Sequence, residues 1–341
     1  MRAHTGMSDN KRIAVILAAH GEAETSRFAE NYRVSRRTLE HAAAVMGVPP
    51  VLQIGISLFS ALKKKLNPRR KGSPHNRISR EQARELQNYL GERSGNGRIV
   101  FDVHAAFSAS DPSLEEVIEK TKHHDAQILV SMSPVDNDLT CGQLCRYLAR
   151  TRPADDLSRV KVISRFWCDA ALHQLCAAHV VAASAEPRLG RSERHVLLLL
   201  FHGTLVTDGS GELPAFRTGL DETMAFAASL TELLGSDVRH PYGRIMTAFL
   251  NHDVGGEWTR PSFEETAALL ADSGVSNVAL FAAGYFADGN ETVYREQELR
   301  SMLPACTITT IPCLNASPAF AGYLNGRVAG AVSQIMLTPF P

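Results

Sequence analysis

The sequence has no surplus of charge of either sign: 36 Lys and Arg balance 36 Asp and Glu over 341 residues. Such a balance leaves no overall electrostatic footprint for nucleic acid. No apolar run approaches the roughly 18 residues of a membrane-spanning helix, and residues 1–11 (MRAHTGMSDNK) are too short and too polar for a secretory signal. A cytoplasmic protein with a loose segment over 1–11 is expected. Cysteine is sparse as well. The six, at 141, 145, 168, 176, 306 and 313, form no CxxC pair, which argues against a zinc ribbon or a dithiol redox motif. Disulfides, an iron–sulfur cluster and any tightly bound cofactor are not expected. A Gly-x-Ser-x-Gly elbow and a phosphate-binding loop are also missing, so hydrolase and nucleotide chemistry have no motif to stand on.

What is present is a pair of apolar runs that each end in His-Gly. Val196–Phe201 leads into His202-Gly203, and Ile13–Ala19 leads into His20-Gly21. Continuous apolar runs of this length fit parallel strands buried on both faces. In open α/β sheets, ligands bind beyond the carboxyl ends of the strands, where both histidines would sit. Each also reads as a turn-bound imidazole. Further strands are expected at Ile99–Ala105, Ala126–Met132 and near Val162 in the first half, and at Arg244–Phe249, Val278–Ala283 and Thr307–Ile311 in the second. Helix-like stretches of 10–20 residues alternate with them, including one over Ser79–Leu90 capped by Ser79, one over Ala170–Ala183 that closes the first half, and one over 291–302. The expected fold is α/β, with two similar Rossmann-like halves, each a four-stranded parallel sheet flanked by helices. Residues 12–183 form the first half, 184–194 (SAEPRLGRSER) a linker, and 195–341 the second.

One charge anomaly stands out. Six cations fall within residues 63–71, just after the apolar segment Ile54–Leu62. The run reads either as a solvated basic loop or as a lip that attracts carboxylates or anionic lipid headgroups.

Several stretches, in chain order, then resemble the ferrochelatase family, whose members insert ferrous iron into a porphyrin. They are Gly72-Ser73-Pro74 with Gln82-Ala83 and Leu86-Gln87, Thr140-x-Gly142, Phe201-His202-Gly203, and Glu257-Trp258-x-x-Pro261 with Glu265-Thr266. The last two are Phe286-Ala287-Asp288-x-x-Glu291-Thr292 and Pro312-x-Leu314-Asn315-x-Ser317-Pro318. The resemblance covers roughly residues 12–325. It implies a chelatase-type fold, a porphyrin (protoporphyrin IX or coproporphyrin III) and a divalent metal as partners, with Fe2+ as substrate. His202 becomes the active-site histidine and Glu291 its carboxylate partner, both handling pyrrole protons and the metal. His20 becomes a candidate metal contact. Trp258, Asp288, Thr140, Lys64 and Arg69 become candidates for binding the substrate, with Asp288 also readable as a helix cap. The chemistry needs such groups, because insertion releases two pyrrole protons and an imidazole titrates near neutrality.

The sequence also departs from the family. Ser108-Ala109 stands where Arg-Tyr is usual, Ser133–Asn137 replaces an aromatic wall segment, and Asn251-His252-Asp253 replaces Ser-Arg-aromatic. Gly289 takes the place of a histidine and Arg295 that of an acid one turn after Glu291. These changes keep open a chelatase for another metal or tetrapyrrole, or a binding protein of the same fold without catalysis. A monomer or a homodimer fits equally well, and apolar residues beside the cations would suit peripheral contact with a bilayer.

Overall fold

A computed structural model describes residues 10–46, 48–67, 72–93, 99–184, 191–252 and 255–337. The N-terminal segment 1–9, Arg69 with the neighbouring cations 70 and 71, linker residues 185–190 and Asp253 lie outside the described residues.

The first half runs β1 (Lys11–Ala19), α1 (Phe28–Met46), α2 (Pro50–Leu66), α3 (His75–Arg93), β2 (Ile99–Phe107), α4 (Leu114–Lys120), β3 (Ala126–Ser131), α5 (Cys141–Thr151), α6 (Ala154–Leu157), β4 (Val160–Ile163) and α7 (Ala170–Ala183). The second runs β5 (Ser192–His202), β6 (Leu205–Thr207), α8 (Leu220–Ser236), β7 (Tyr242–Leu250), β8 (Glu257–Trp258), α9 (Phe263–Ala271), β9 (Asn277–Phe281), α10 (Arg295–Met302), β10 (Thr307–Ile311) and α11 (Pro318–Leu337). Each half builds a four-stranded, all-parallel sheet. The orders are β2-β1-β3-β4 and β7-β5-β9-β10, the same topology twice. In both halves, the strand beside the central one carries at or next to its end a phenylalanine whose N–H donates at 3.0 Å to a proline carbonyl: Phe107 to Pro112, Phe249 to Pro261. The next residue, Ser113 or Ser262, caps a helix by accepting from Glu116 N at 3.2 Å or Glu265 N at 3.1 Å. The second cap is a complete capping box, since Glu265 Oε2 accepts from Ser262 N at 2.8 Å.

Alternation along the strands decides which core each side chain joins. Ile13, Val15 and Leu17 of β1 face inward with Leu197, Leu199 and Phe201 of β5, in one cluster shared by the two sheets. Ile16 turns to an outer cluster with Leu114, Ile118 and Leu144, and Val196, Leu198 and Leu200 turn to another with Phe263, Leu270 and Leu299. Between the sheets, α3, α7, α8 and α11 contribute Leu86, Leu172, Phe226 and Phe320 to the shared cluster.

Two of these helices cross over. The helix Ala170–Ala183, expected to close the first half, reaches the second sheet instead: the His179 ring lies 5.7 Å from that of Phe281 in β9, and its Nε2 bonds Pro312 O at 2.8 Å. In return α11 packs on α3 and β4 of the first sheet. Asp169 ties the two helices. Its carboxylate caps α7 through Ala171 N at 2.9 Å, accepts from Tyr323 OH at 2.8 Å and pairs with Arg327, whose Nη2 also donates to Ser164 O at 3.0 Å. Desolvation would raise the Asp169 pKa, but these donors outweigh it and leave the carboxyl below its ordinary range.

Two helix starts differ from expectation. The third helix begins at His75, directly after Pro74, and Ser79 lies inside it with its hydroxyl donating back to His75 O at 3.0 Å. The helix expected over 291–302 begins at Arg295, after turns over 290–294. The apolar segment Ile54–Leu62 is the middle of α2, packed on α1 through its few buried residues Gln53, Ser57 and Ala61. Its other faces leave Val51, Leu52, Leu58, Phe59, Leu62 and Leu66 exposed, followed by Lys63, Lys64 and Lys65 in the last turn. Among the described residues, no helix is long and apolar enough to cross a membrane.

Candidate metal centre

The site forms at the carboxyl end of β5, between its two neighbours. His202 closes β5 and is in register with Leu250, the last residue of β7. His252 therefore emerges two residues beyond that partner, beside His202. On the other flank, Leu199 is in register with Phe281 at the end of β9, and the following loop carries Tyr285 and Glu291. The glycine after each of the paired histidines is required by close approach. A Cβ on Gly203 would lie 2.0 Å from Asn251 Oδ1 and 2.9 Å from Leu250 O, the carbonyl to which Gly203 N donates at 2.9 Å. Gly21 has φ +84° and would meet Ser110 Oγ at 2.4 Å.

His202, His252 and Glu291 converge. His202 Nε2 lies 3.2 Å from His252 Nε2 and 3.9 Å from Glu291 Oε1, and His252 Nε2 lies 3.7 Å from the same oxygen. All three ligand atoms fall within 4.8 Å of one another, and among the described residues this is the one group of three or more His, Cys, Asp or Glu that could hold a metal ion. The ring of His202 is oriented by its own turn, with Nδ1 2.6 Å from Gly203 O. A carbonyl only accepts, so Nδ1 carries the hydrogen, and the lone pair of the neutral ring sits on Nε2, facing His252 and Glu291. Side-chain exposures of 48% and 47% for the two histidines and 30% for Glu291 leave the cluster within reach of a substrate.

Glu291 is held as an anion. Desolvation pushes its pKa up, but His202, His252, the Tyr285 hydroxyl and His20 together bring the net shift below the ordinary value. Tyr285 donates to Glu291 Oε2 at 2.5 Å. Desolvation first, and then the Glu291 charge and hydrogen bond, raise the phenol far above its usual range, so it stays protonated.

His20 lies outside the cluster of three. It is exposed at the end of β1, with Nε2 3.3 Å from Thr38 Oγ1 and Nδ1 3.5 Å from Ser108 Oγ. Desolvation by the groups around it lowers its pKa first of all. Glu22 and Glu291 pull it upward, and His75 and His41 lower it further. The result favours a neutral imidazole with a lone pair. Beside it Glu22 spans the two halves: its Oε2 accepts from Asn290 N at 2.9 Å and from the Ser73 hydroxyl. A Cβ on Gly289 would stand 3.0–3.3 Å from this carboxylate, so a larger residue at 289 would crowd it.

The other predicted substrate contacts divide. Trp258 lines the site, its ring 5.3 Å from His252 and edge-on to it. Asp288 does not cap a helix at 291, since the helix begins at Arg295. Its Oδ2 accepts from Asn315 Nδ2 at 2.7 Å and its Oδ1 from Thr292 Oγ1 at 3.1 Å, which braces the loop that delivers Glu291. Thr140 braces the turn before α5, accepting from Asn137 N at 3.1 Å and bonding Val135 O at 3.3 Å. Lys64 lies in the last turn of α2. Arg295 turns back on its own segment: Nε donates to Glu291 O at 2.9 Å, Nη1 to Glu298 Oε2 at 2.6 Å, and the guanidinium lies 5.4 Å from the Phe263 ring.

Sequence reasoning missed His252, Glu22 and Tyr285. His252 was visible only as a departure from a motif. Its signal is a histidine two residues past a strand end, which acquires meaning once β7 is known to lie beside β5.

Comparison with solved structures finds similar chain paths at low identity. CbiX, described as the terminal enzyme for biosynthesis of siroheme in denitrifying bacteria, aligns over 94% of this chain and 99% of its own at 12% identity and TM-score 0.47. SirB from Bacillus subtilis with Fe3+ aligns over 94% of both chains at 12% identity and TM-score 0.46. DR2241 from Deinococcus radiodurans, a multi-domain protein with structural similarity to chelatases, aligns over 93% of this chain at 13% identity and TM-score 0.48; this chain covers 54% of its length. A family model does more. The ferrochelatase model matches residues 12–331, nearly the whole chain and every element that builds the site. The protein belongs to the ferrochelatase family.

Proposed function

We propose that the protein inserts ferrous iron into a porphyrin, protoporphyrin IX or coproporphyrin III, as a step of haem synthesis in the cytoplasm. Family membership supports the coarser statement, metal chelation into a tetrapyrrole. The observation that carries the finer one is the convergence of His202 Nε2, His252 Nε2 and Glu291 Oε1 within 4.8 Å, with both imidazoles exposed. Two imidazoles and a carboxylate suit a borderline divalent ion better than Mg2+ or Ca2+, which prefer all-oxygen ligands. The ion is a substrate here, and the reaction asks for no resident cofactor.

The same atoms serve proton transfer once the ion has passed to the macrocycle and freed their lone pairs. His202 Nε2 is the base, its other nitrogen locked by Gly203 O. Glu291, kept anionic, stabilises the imidazolium that forms and carries the proton onward. His20, neutral and on the other half, offers a nitrogen to the incoming ion. Anaerobic insertion assays with Fe2+, followed through the porphyrin's visible spectrum, test this reading. Turnover with Fe2+ supports it; binding of porphyrin with no insertion by any ion rejects it in favour of the non-catalytic protein.

A specific observation favours a second reading. His252 adds a second imidazole, and small residues, Ser108 and the fully packed Ala109, fill the place of the family's Arg-Tyr. Both would suit a later divalent metal such as cobalt or another tetrapyrrole. Faster insertion of Co2+ than Fe2+ would select that reading.

We also propose that α2 docks on an anionic bilayer. Leu52, Phe59, Leu62 and Leu66 are 48–69% exposed, and three lysines follow in the same helix. Apolar side chains beside cations complement acyl chains beside anionic headgroups. Flotation with phosphatidylserine-containing vesicles should retain the wild type and lose Phe59→Ser with Lys63→Glu. Equal recovery of both with vesicles rejects the contact.

A further inference from the structure

Glu291 has two oxygens, and the structure treats them differently. Oε1 faces both imidazoles, while Oε2 accepts a 2.5 Å hydrogen bond from Tyr285. Tyr285 stands four residues past the end of β9, in a turn fixed by Gly284 N on Leu200 O at 3.0 Å and Tyr285 N on Ala282 O at 3.2 Å, and packs against the outer core of the second sheet, which holds its hydroxyl in place. The main chain of Glu291 is held separately by Arg295 Nε on its carbonyl, and Arg295 is itself fixed by Glu298 and the Phe263 face. Backbone and carboxylate are thus clamped from two sides.

Packing alone does not explain a tyrosine here. A phenylalanine would fill the same volume, and the only group that distinguishes the two is the hydroxyl on Oε2. A free carboxylate can chelate an ion through both oxygens or turn about its last torsion; one with an oxygen engaged by a charge-assisted hydrogen bond presents the other in a single direction.

We propose that Tyr285 is a positioning residue of the metal site: its hydroxyl occupies Oε2 of Glu291, so that the carboxylate meets the substrate ion through Oε1 alone. The inference rests on the reading that His202, His252 and Glu291 receive that ion. Its consequence is a site whose one oxygen and two nitrogens are set in direction before the ion arrives, so that the ion need not order the carboxylate on binding.

The test is titration of the full chain with Co2+ under anaerobic conditions, read through its ligand-field bands. Tyr285→Phe should weaken Co2+ binding about 10-fold and change the band shape, with an unchanged melting temperature. In a Glu291→Gln background, where Oε2 no longer exists as a carboxylate oxygen, the Tyr285→Phe effect should vanish. A Tyr285→Phe protein with wild-type affinity and bands, alongside His202→Ala and His252→Ala proteins that lose Co2+, overturns the positioning role and leaves the site standing. Co2+ binding that survives both histidine substitutions overturns the site and the inference together. Should Tyr285→Phe lower the melting temperature, an undiminished effect of Tyr285→Phe in the Glu291→Gln background marks the residue as structural and overturns the proposal.

Discussion

His202→Ala is expected to lower kcat for metal insertion by about 10²–10⁴-fold, the range that one positioned acid–base group supplies. Three features make the effect large. The ring is oriented by Nδ1 on Gly203 O, its lone pair points to Glu291 and His252, and about half of the side chain is exposed. His252 lies 3.2 Å away but hangs from another strand, so it cannot place its nitrogen where His202 Nε2 stands. Glu291→Gln keeps the shape and removes the charge. It should cost a similar factor in kcat and weaken the hold on the ion, while leaving porphyrin affinity within about twofold, since Glu291 meets the ion and the proton rather than the ring. Stopped turnover with retained porphyrin fluorescence quenching is the expected pair of results. A His202→Ala protein with turnover near wild type would remove the imidazole from the reaction and shift the base to His252 or His20.

Phe201→Ala carries the largest expected loss of stability, about 3–5 kcal/mol. Phe201 is fully buried in the cluster that the two sheets share, with its ring edge-on to Phe226 at 5.6 Å and tilted to Phe249 at 6.2 Å. Truncation opens a void where β5, β7 and α8 meet, and dense packing on every side limits how far they can close it. Because the next residue is His202, the loss should be felt in turnover as well. Denaturant unfolding measures the first effect, and comparison with Phe201→Leu, expected to cost about 1 kcal/mol, separates lost volume from lost contact. A cost below about 1 kcal/mol for the alanine variant would contradict a shared core at this position.

The extent to which the chain could be read in advance differs from residue to residue, for physical reasons. The inner strands β1, β3, β5 and β9 were legible because a strand buried on both faces must be largely apolar, and a run such as Val196–Phe201 has few other uses. Helix starts were read less well. Ser79 is an apt cap by type, but Pro74 starts the helix one turn earlier, and the hydroxyl of a serine inside a helix can bond back to a carbonyl. The apolar stretch 54–62 gave no sign of its exposure, since a helix with apolar side chains on most faces looks the same in sequence whether it is covered or not. Asp288 shows the converse: its spacing to Glu291 fits a capping box, yet Asn315, 27 residues away, claims its carboxylate.

By itself the sequence determined the α/β class, the doubling of the chain around two His-Gly strand ends, and the pairing of His202 with Glu291 through an ordered set of motifs. Only the tertiary structure decided that His252 joins them, that Tyr285 holds the second carboxylate oxygen, that Glu22 reaches from one half to the other, and that α7 and α11 exchange sheets. The division has one cause. Periodicity, caps and turn residues act within a few residues along the chain, whereas the neighbours of a strand end are set by hydrogen-bond register between segments about 50 to 90 residues apart, here β7 and β9 on either side of β5.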